Sequence, residues 1–84
     1  MKKYNKNAEH LIIQIQTIRE CKDISQSELA KMSGTKQEVI SRMETGKNIP
    51  SLDSFCNIVN CLGYEVILKK KEQLSWNYVN LVLY

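Results

Sequence analysis

The sequence predicts a mainly α-helical domain of four helices, followed by a C-terminal β-strand. Three observations predict this fold class. Apolar residues recur at helical spacing along the first three quarters of the 84 residues. Ser25 stands three residues before Glu28 and Thr35 three before Glu38, a pattern typical of helix starts, and glycines lie where helices should end. After Gly63 the apolar spacing changes to a period of two, which indicates a strand.

The first predicted helix runs from about Ala8 to Cys21. One face of it carries an apolar stripe that we interpret as core, made of Leu11, Ile12, Ile15 and Ile18. The lone His10 near its start has no second ligand at metal spacing, so we interpret it as an ordinary surface histidine.

The second and third predicted helices are short and begin ten residues apart. Ser25 with Glu28, and Thr35 with Glu38, have the spacing of capping boxes, in which the hydroxyl caps an amide and the carboxylate reaches back. Gly34 should end one helix, because glycine adopts the left-handed conformation without a Cβ clash, and Gly46 should end the next. The inward-facing candidates are Leu29, Ala30, Val39, Ile40 and Met43.

A fourth helix should begin after Ser51, which is placed to cap it, and run from Leu52 to about Leu62. Its core candidates are Leu52, Phe55, Ile58, Val59 and Leu62. Gly63 should end this helix.

Residues 64–70 alternate in the manner of a strand, with Tyr64, Val66 and Leu68 on one face. A single strand leaves backbone groups unpaired, so it should pair either with its symmetry mate in a dimer or with residues 73–84 folded back. The pattern does not decide whether residues 73–84 form a strand or a helix, although their composition favours a strand. The dimerisation candidates are Tyr64, Val66, Leu68, Trp76 and Tyr78.

Length and composition indicate one small domain. We divide it into a flexible basic arm (1–7), a helical domain (8–63) and a dimerisation extension (64–84). The chain is 43% hydrophobic and 25% charged with a net charge of +3, and it has neither a membrane-spanning run nor a signal peptide, so we expect a cytoplasmic protein. Three cysteines, an odd number, fit a reducing compartment.

Enzymatic function is not indicated. The chain has one histidine, scattered cysteines and no glycine-rich phosphate loop, so we expect no catalytic residues, no metal site and no cofactor. The sequence suggests no pocket for a small-molecule ligand either.

Arg19 to Pro50 resembles the Cro and phage-repressor family of DNA-binding domains, also called Xre-type regulators, which contain a helix-turn-helix. The similarity is carried by many positions at once: Arg19, Ile24-Ser25-Gln26, Glu28-Leu29-Ala30, Gly34-Thr35, Gln37, Ile40, Glu44, Gly46 and Pro50. The chain departs from the family at Asp23, where glycine is frequent, and at Ser33, where an apolar residue is common and a serine should loosen the turn. Asp tolerates the left-handed bend better than most residues.

The resemblance implies a homodimeric regulator of transcription, a repressor, that binds double-stranded DNA at an inverted repeat, with its third helix in the major groove. The implied base-contacting candidates are Lys36, Gln37, Glu38, Ser41 and Arg42, and the phosphate-contacting candidates are Gln26, Thr35, Lys47 and Asn48. It also implies a partly buried ion pair between Arg19 and Glu44. For Glu38, capping and base contact compete for the same carboxylate.

The ending LGYEVILKK is similar to the antitoxin subset of the family, the HipB and HigA type, in which a C-terminal strand builds the dimer. An antitoxin that neutralises a toxin protein and regulates its own operon is therefore the alternative function. A third possibility is a domain that keeps the fold without DNA affinity.

Overall fold

A computed structural model describes residues 5–71 of the chain. They form four α-helices: α1 (Lys6–Cys21), α2 (Gln26–Ser33), α3 (Gln37–Glu44) and α4 (Leu52–Cys61). The predicted mainly α class with four helices is confirmed. The predictions for Trp76, Tyr78 and the rest of residues 73–84 lie outside the described residues.

The core lies where α2 packs against both α3 and α4, while α1 closes it by packing on α3. Its fully buried side chains are Leu29, Ile40, Met43 and Ile58. The other buried apolar residues are Ile12, Ile15, Ala30, Val59 and Leu62, with Ile18, Ile24, Phe55 and Cys61 packed partly buried around them. Every helix therefore contributes to one continuous apolar cluster.

Two predicted core positions are wrong. Leu11 is 42% exposed and Leu52 is 76% exposed. Leu52 is the first residue of α4, ahead of the turns that meet α2, and Leu11 lies at the edge of the α1 stripe, beside the buried Ile12. Both line a shallow apolar groove with Ile49 and Phe55. Val39, predicted to face inward, is half-buried.

The capping box at the start of α2 is confirmed. The Ser25 hydroxyl accepts a hydrogen bond from the Glu28 amide at 3.0 Å, and the Glu28 carboxylate accepts one from the Ser25 amide at 2.8 Å. Ser51 caps α4 as predicted, accepting from the Ser54 amide at 3.1 Å. Each of these bonds satisfies an amide that has no partner within its helix.

The capping box predicted at Thr35 is wrong. The N-cap of α3 is Lys36, which makes no side-chain capping bond, so the helix starts one residue later than expected. Thr35 instead belongs to the end of α2: its amide donates to the Ala30 carbonyl at 2.9 Å, and its hydroxyl lies 3.0 Å from the Ser33 hydroxyl. Because the Thr35 amide already donates to Ala30, it is not available to the Glu38 carboxylate, and the return bond of a capping box does not form.

Helix ends follow one backbone pattern, in which a left-handed residue lets two amides bond back into the last turn. Gly34 (φ 73°) does this for α2 as predicted. At the end of α1 the left-handed residue is Asp23 (φ 58°), where the Ile24 amide donates to the Arg19 carbonyl at 3.1 Å. Asp23 thus ends α1 in the left-handed conformation that glycine adopts most easily.

Residues 64–71 form neither a helix nor a strand within the described part of the chain. Tyr64, Val66 and Ile67 border a second shallow cavity together with α1 and α4, and Leu68 is completely exposed. Pairing of this segment with a second copy or with residues 73–84 stays a prediction.

The capping box gives the first testable prediction. Its hydrogen bonds with Ser25 hold the pKa of Glu28 below its ordinary value of 4.5, so the ionised form is favoured in the folded state. The stability that Glu28 contributes is therefore present above pH 4.5 and is lost as the pH falls through the lowered folded pKa. Glu28→Ala should lower the free energy of unfolding at neutral pH, and its difference from wild type should narrow in acid.

Denaturant unfolding at several pH values measures this difference. Glu65→Ala, which removes an exposed acid outside the helices, is the control and should differ little from wild type at any pH. If the free energies of unfolding of wild type and Glu28→Ala differed by the same amount at neutral and at acid pH, the prediction would be contradicted.

Candidate functional site

The segment from α2 to α3 forms two helices joined by a turn of three residues, 34–36. Ala30 is 4% exposed where the helices approach each other, and its small side chain permits that close approach. Ile40 and Met43 of α3 are fully buried, which anchors this helix by its inner face. The opposite face of α3 is therefore held outward in a fixed orientation.

The outward face of α3 and the residue before it carry the predicted base-contacting candidates. Four of the five are exposed and Ser41 is half-buried; the exposed ones are Lys36, Gln37, Glu38 and Arg42. Arg42 Nη2 lies 3.3 Å from Glu38 Oε2, one helical turn away, in a pair whose side chains are 55% and 67% exposed. Such an exposed pair contributes only about 0.3–0.5 kcal/mol, so both groups are available to a ligand.

A buried polar network supports this surface from behind. Arg19 Nε donates to Glu44 Oε2 at 2.8 Å, and its Nη2 donates to Glu44 Oε1 at 3.0 Å. The two side chains are only 10% and 3% exposed. Arg19 Nη1 also donates to the Ile24 carbonyl at 2.7 Å. The hydrogen bond to Glu44, opposed by burial, raises the pKa of Arg19 above its ordinary value, so the guanidinium stays charged.

Gln26 is the third side chain in this network. Its Nε2 donates to Glu44 Oε1 at 2.9 Å, the same oxygen that accepts from Arg19 Nη2. Glu44 at the end of α3 is thereby joined to Arg19 in the last turn of α1 and to the first residue of α2. One carboxylate fixes how three helices lie relative to one another.

The four predicted phosphate-contacting residues occupy two different environments. Lys47 and Asn48 are exposed in the loop after α3, where both backbone amides donate to the Arg42 carbonyl, at 2.9 and 3.2 Å. Gln26 and Thr35 are half-buried, and each uses part of its hydrogen-bonding capacity within the domain. Gln26 keeps one amide N–H beyond the bond to Glu44.

Two contacts had no signal in the sequence. The Gln26–Glu44 bond joins residues 18 apart in the chain. Ser33, which we expected to loosen the turn, is buried, and its hydroxyl donates to the Leu29 carbonyl at 2.8 Å. Because its polar atom is satisfied inside the domain, Ser33 takes the place of an apolar residue without an unpaired buried group.

The described residues contain no group of three or more His, Cys, Asp and Glu side chains placed to hold a metal ion. None of the helices between residues 5 and 71 is both long and apolar enough to cross a bilayer. Basic and amide side chains on an outward helix face are the chemistry that this site presents.

Comparison with known proteins agrees with this geometry. Residues 15–68 match the family model described as HTH_3, helix-turn-helix. An uncharacterized HTH-type transcriptional regulator of Sinorhizobium fredii, y4dL, is 36% identical over 64 residues, covering 76% of this chain. The chain spans 33% of the length of that relative.

Two solved structures are similar over most of the chain. A chain of the HipA-HipB-O2-O3 complex superposes with a TM-score of 0.71 at 29% identity, covering 86% of this chain and 99% of that one. A structure described as MDT protein superposes with a TM-score of 0.70, with the same identity and coverage.

The buried network gives the second prediction. Glu44→Ala should lower the free energy of unfolding by about 3 kcal/mol, because it leaves the Arg19 guanidinium buried without its partner. Chemical denaturation followed by circular dichroism measures the loss.

Glu20→Ala is the matched control for this prediction. Glu20 also lies near Arg19, at 3.6 Å, but is 58% exposed, so its removal should cost less than about 1 kcal/mol. Equal losses for Glu44→Ala and Glu20→Ala would show that burial of the pair has no energetic consequence.

Proposed function

The chain belongs to the Xre-type helix-turn-helix family, and we propose that it is a sequence-specific DNA-binding regulator of transcription, acting as a repressor. The observation that carries this proposal is that α3 has one buried face and one exposed face. Its inner residues Ile40 and Met43 are fully buried, while its outward face presents exposed basic and amide groups that the fold does not use.

In this proposal the N-terminal half of α3 enters the major groove of double-stranded DNA and α2 crosses the backbone. Arg42 and Lys36 donate hydrogen bonds to O6 and N7 of guanine. Gln37 bonds adenine twice, accepting from N6 and donating to N7. Ser41 hydrogen-bonds either a donor or an acceptor on a base edge. Glu38 accepts from cytosine N4.

Phosphate contacts would set the position of α3 without selecting sequence. Lys47 and Asn48 are suited to this because they are exposed in the loop next to the end of α3. The remaining Gln26 N–H and the Thr35 hydroxyl would add contacts near the starts of α2 and α3, where backbone amides also favour an anion.

We assign dimerisation to the extension, residues 64–84, and DNA binding to the helical domain predicted over residues 8–63. The boundary predicted between a basic arm (1–7) and this domain is too late, because α1 already begins at Lys6 and Asn5 caps it. The exposure of Tyr64 (55%), Val66 (43%) and Leu68 (100%) supports this assignment, because apolar side chains in one short segment favour burial against a partner. Trp76 and Tyr78 would extend the same interface. A two-fold dimer places the reading helices about 34 Å apart, one turn of DNA, and thus matches an inverted repeat.

An antitoxin of a toxin–antitoxin pair is the alternative function. The observation that favours it is the similarity, over 86% of this chain, to a chain of the HipA-HipB-O2-O3 complex. In that case a toxin protein is a second partner, and DNA binding regulates the operon of the pair. A co-transcribed gene for a kinase-like or ribonuclease-like toxin, whose product co-purifies with this chain, would distinguish the two functions.

We expect the protein to be cytoplasmic, and to lie on the nucleoid when it is bound to DNA. We expect it to have no catalytic activity. It requires no metal, cofactor or small-molecule ligand, since the outward side chains of α3 supply the chemistry of base recognition themselves.

The central test is a mobility shift with the promoter of the protein's own gene, at stated salt concentrations. Arg42→Ala should weaken binding by about 1–3 kcal/mol and relax the preference at one base pair, because a base contact is lost. Lys47→Ala should weaken binding to all sequences equally and reduce the salt dependence, because a phosphate contact is lost. If both variants bound the promoter and random DNA as the wild type does, the assigned surface would be wrong.

Truncation after Gly63 tests the dimer. The buried core lies between Ile12 and Leu62, so the shortened chain should retain its helices by circular dichroism. Analytical ultracentrifugation should find the full chain as a dimer and the truncated chain as a monomer. A dimer that survives the truncation would exclude residues 64–84 as its main contact.

A further inference from the structure

An exposed apolar surface lies between α1 and α4, away from the residues assigned to DNA. One half of it is the shallow groove bordered by Leu11 (42% exposed), Ile49 (45%) and Leu52 (76%). The other half is the cavity bordered by residues 64–67. Leu11 and Phe55 line both halves, so the surface is continuous, but the described chain borders only the second half.

The uncovered half, which we call the α1–α4 groove, has the chemistry of a site for apolar side chains. All the residues that line it are apolar: Ala8, Leu11, Ile12, Ile49, Pro50, Leu52 and Phe55. Its volume of about 240 Å³ is below the roughly 300–1,000 Å³ of small-molecule sites, and no polar side chain lines it to orient such a ligand. Exposed apolar surface of this kind favours contact with another polypeptide segment.

The chain leaves this surface at Leu68, which is completely exposed, whereas Ile67 still borders the cavity. Residues 69–72 are Lys-Lys-Lys-Glu, and the three lysines are exposed. Their like charges repel one another and keep this linker extended in water. A bend back onto the same domain would need a turn, and residues 69–72 contain no Gly, Pro, Asn, Asp or Ser to favour one. The linker therefore directs the following segment away from its own helices.

That segment, residues 73–84, lies outside the described residues, but its composition matches the α1–α4 groove. The sequence QLSWNYVNLVLY carries no charged side chain, and eight of its twelve residues are aromatic or aliphatic. Burial of such a segment against apolar side chains removes apolar surface from water and desolvates no charge. A charged partner segment would lose its hydration there without gaining an ion pair.

We propose that residues 73–84 of each copy bind in the α1–α4 groove of the other copy of the dimer. This inference rests on the proposed function, which brings two copies together through residues 64–84, and it adds the surface of the helical domain that receives the exchanged segment. Residues 68–72 span at most about 17 Å when extended, so each segment reaches only the copy directly beside it. Each copy then covers the apolar side chains that the other exposes.

Trp76 reports on this contact, because it is the only tryptophan of the chain. The wild type is compared with Leu11→Gln/Leu52→Gln, in which two exposed groove side chains become polar. The matched control is Ile13→Gln/Met32→Gln, which makes the same kind of change at two apolar residues that are 59% and 49% exposed and do not line the groove. Tryptophan emission and quenching by acrylamide are measured at a concentration where ultracentrifugation finds a wild-type dimer.

In the wild type we expect emission at a shorter wavelength and weaker quenching than in the urea-unfolded chain, because the Trp76 ring is removed from water. The groove variant should shift to the wavelength and the quenching of the unfolded chain, whereas the control variant should match the wild type. Circular dichroism should find the same helix content in all three proteins, because the substituted side chains are exposed.

A mixed dimer distinguishes exchange between copies from binding within one copy. The groove variant, which keeps Trp76, is unfolded and refolded with an excess of Trp76→Phe chains, whose grooves are intact. In the mixed dimer the only intact groove belongs to the partner of the chain that carries Trp76. Exchange should therefore return the emission to the wild-type wavelength, and a Trp76 that stays accessible to acrylamide would overturn it.

The inference would also be overturned if wild-type Trp76 were as accessible as in urea, or if the groove variant matched the control. The proposed function would stand in either case, provided that the wild type is a dimer and shifts its promoter. A monomeric wild type would remove the proposed dimer and the exchange together, and the mobility shift would then decide DNA binding by itself.

Discussion

The rest of the structure depends on the buried Glu44 carboxylate. One oxygen accepts from Arg19 Nε, and the other accepts from both Arg19 Nη2 and Gln26 Nε2. Because these three residues belong to three helices, the arrangement sets the positions of α1, α2 and α3 by directional bonds rather than by apolar contact alone. A buried ion pair of this kind is weak evidence for stability, since desolvation opposes it, but it does define geometry.

Geometry is what a recognition surface requires. Burial of apolar surface is not directional, so by itself it does not define the angles between helices as hydrogen bonds do. The bidentate contact between Arg19 and Glu44 is directional, and it lies on the opposite side of α3 from the exposed Arg42. The polar network and the apolar core therefore have different tasks: burial of apolar surface supplies the free energy of folding, and the network fixes the orientation of the outward helix.

Local sequence patterns predicted the helices well where the relevant contacts are local. The Ser25–Glu28 box and the Ser51 cap each involve residues three apart, and both form as expected. The same pattern at Thr35 and Glu38 does not form a capping box, because the Thr35 amide that Glu38 would accept from already donates to the Ala30 carbonyl at the end of α2. A four-residue pattern contains no information about a neighbouring helix that uses the same residue.

Other features depend on tertiary structure that periodicity does not specify. Helical spacing located the apolar stripe of α1 but not its edge, so Leu11 was assigned to the core although it borders an open groove. The base-contacting candidates were predicted from the family resemblance, which indicates which face of α3 points outward. The contact of Gln26 with Glu44 was not predictable, since both side chains are ordinary polar residues in the sequence and meet only in the folded domain.

The division of α3 into a buried face and an exposed face has an evolutionary consequence. Substitutions at Gln37, Glu38 or Arg42 remove few contacts within the domain, so they should alter stability little. Substitutions at Ile40 or Met43 would disrupt the core. Gene copies descended from this one are thus free to diverge along a single strip of the helix surface while inheriting the same scaffold.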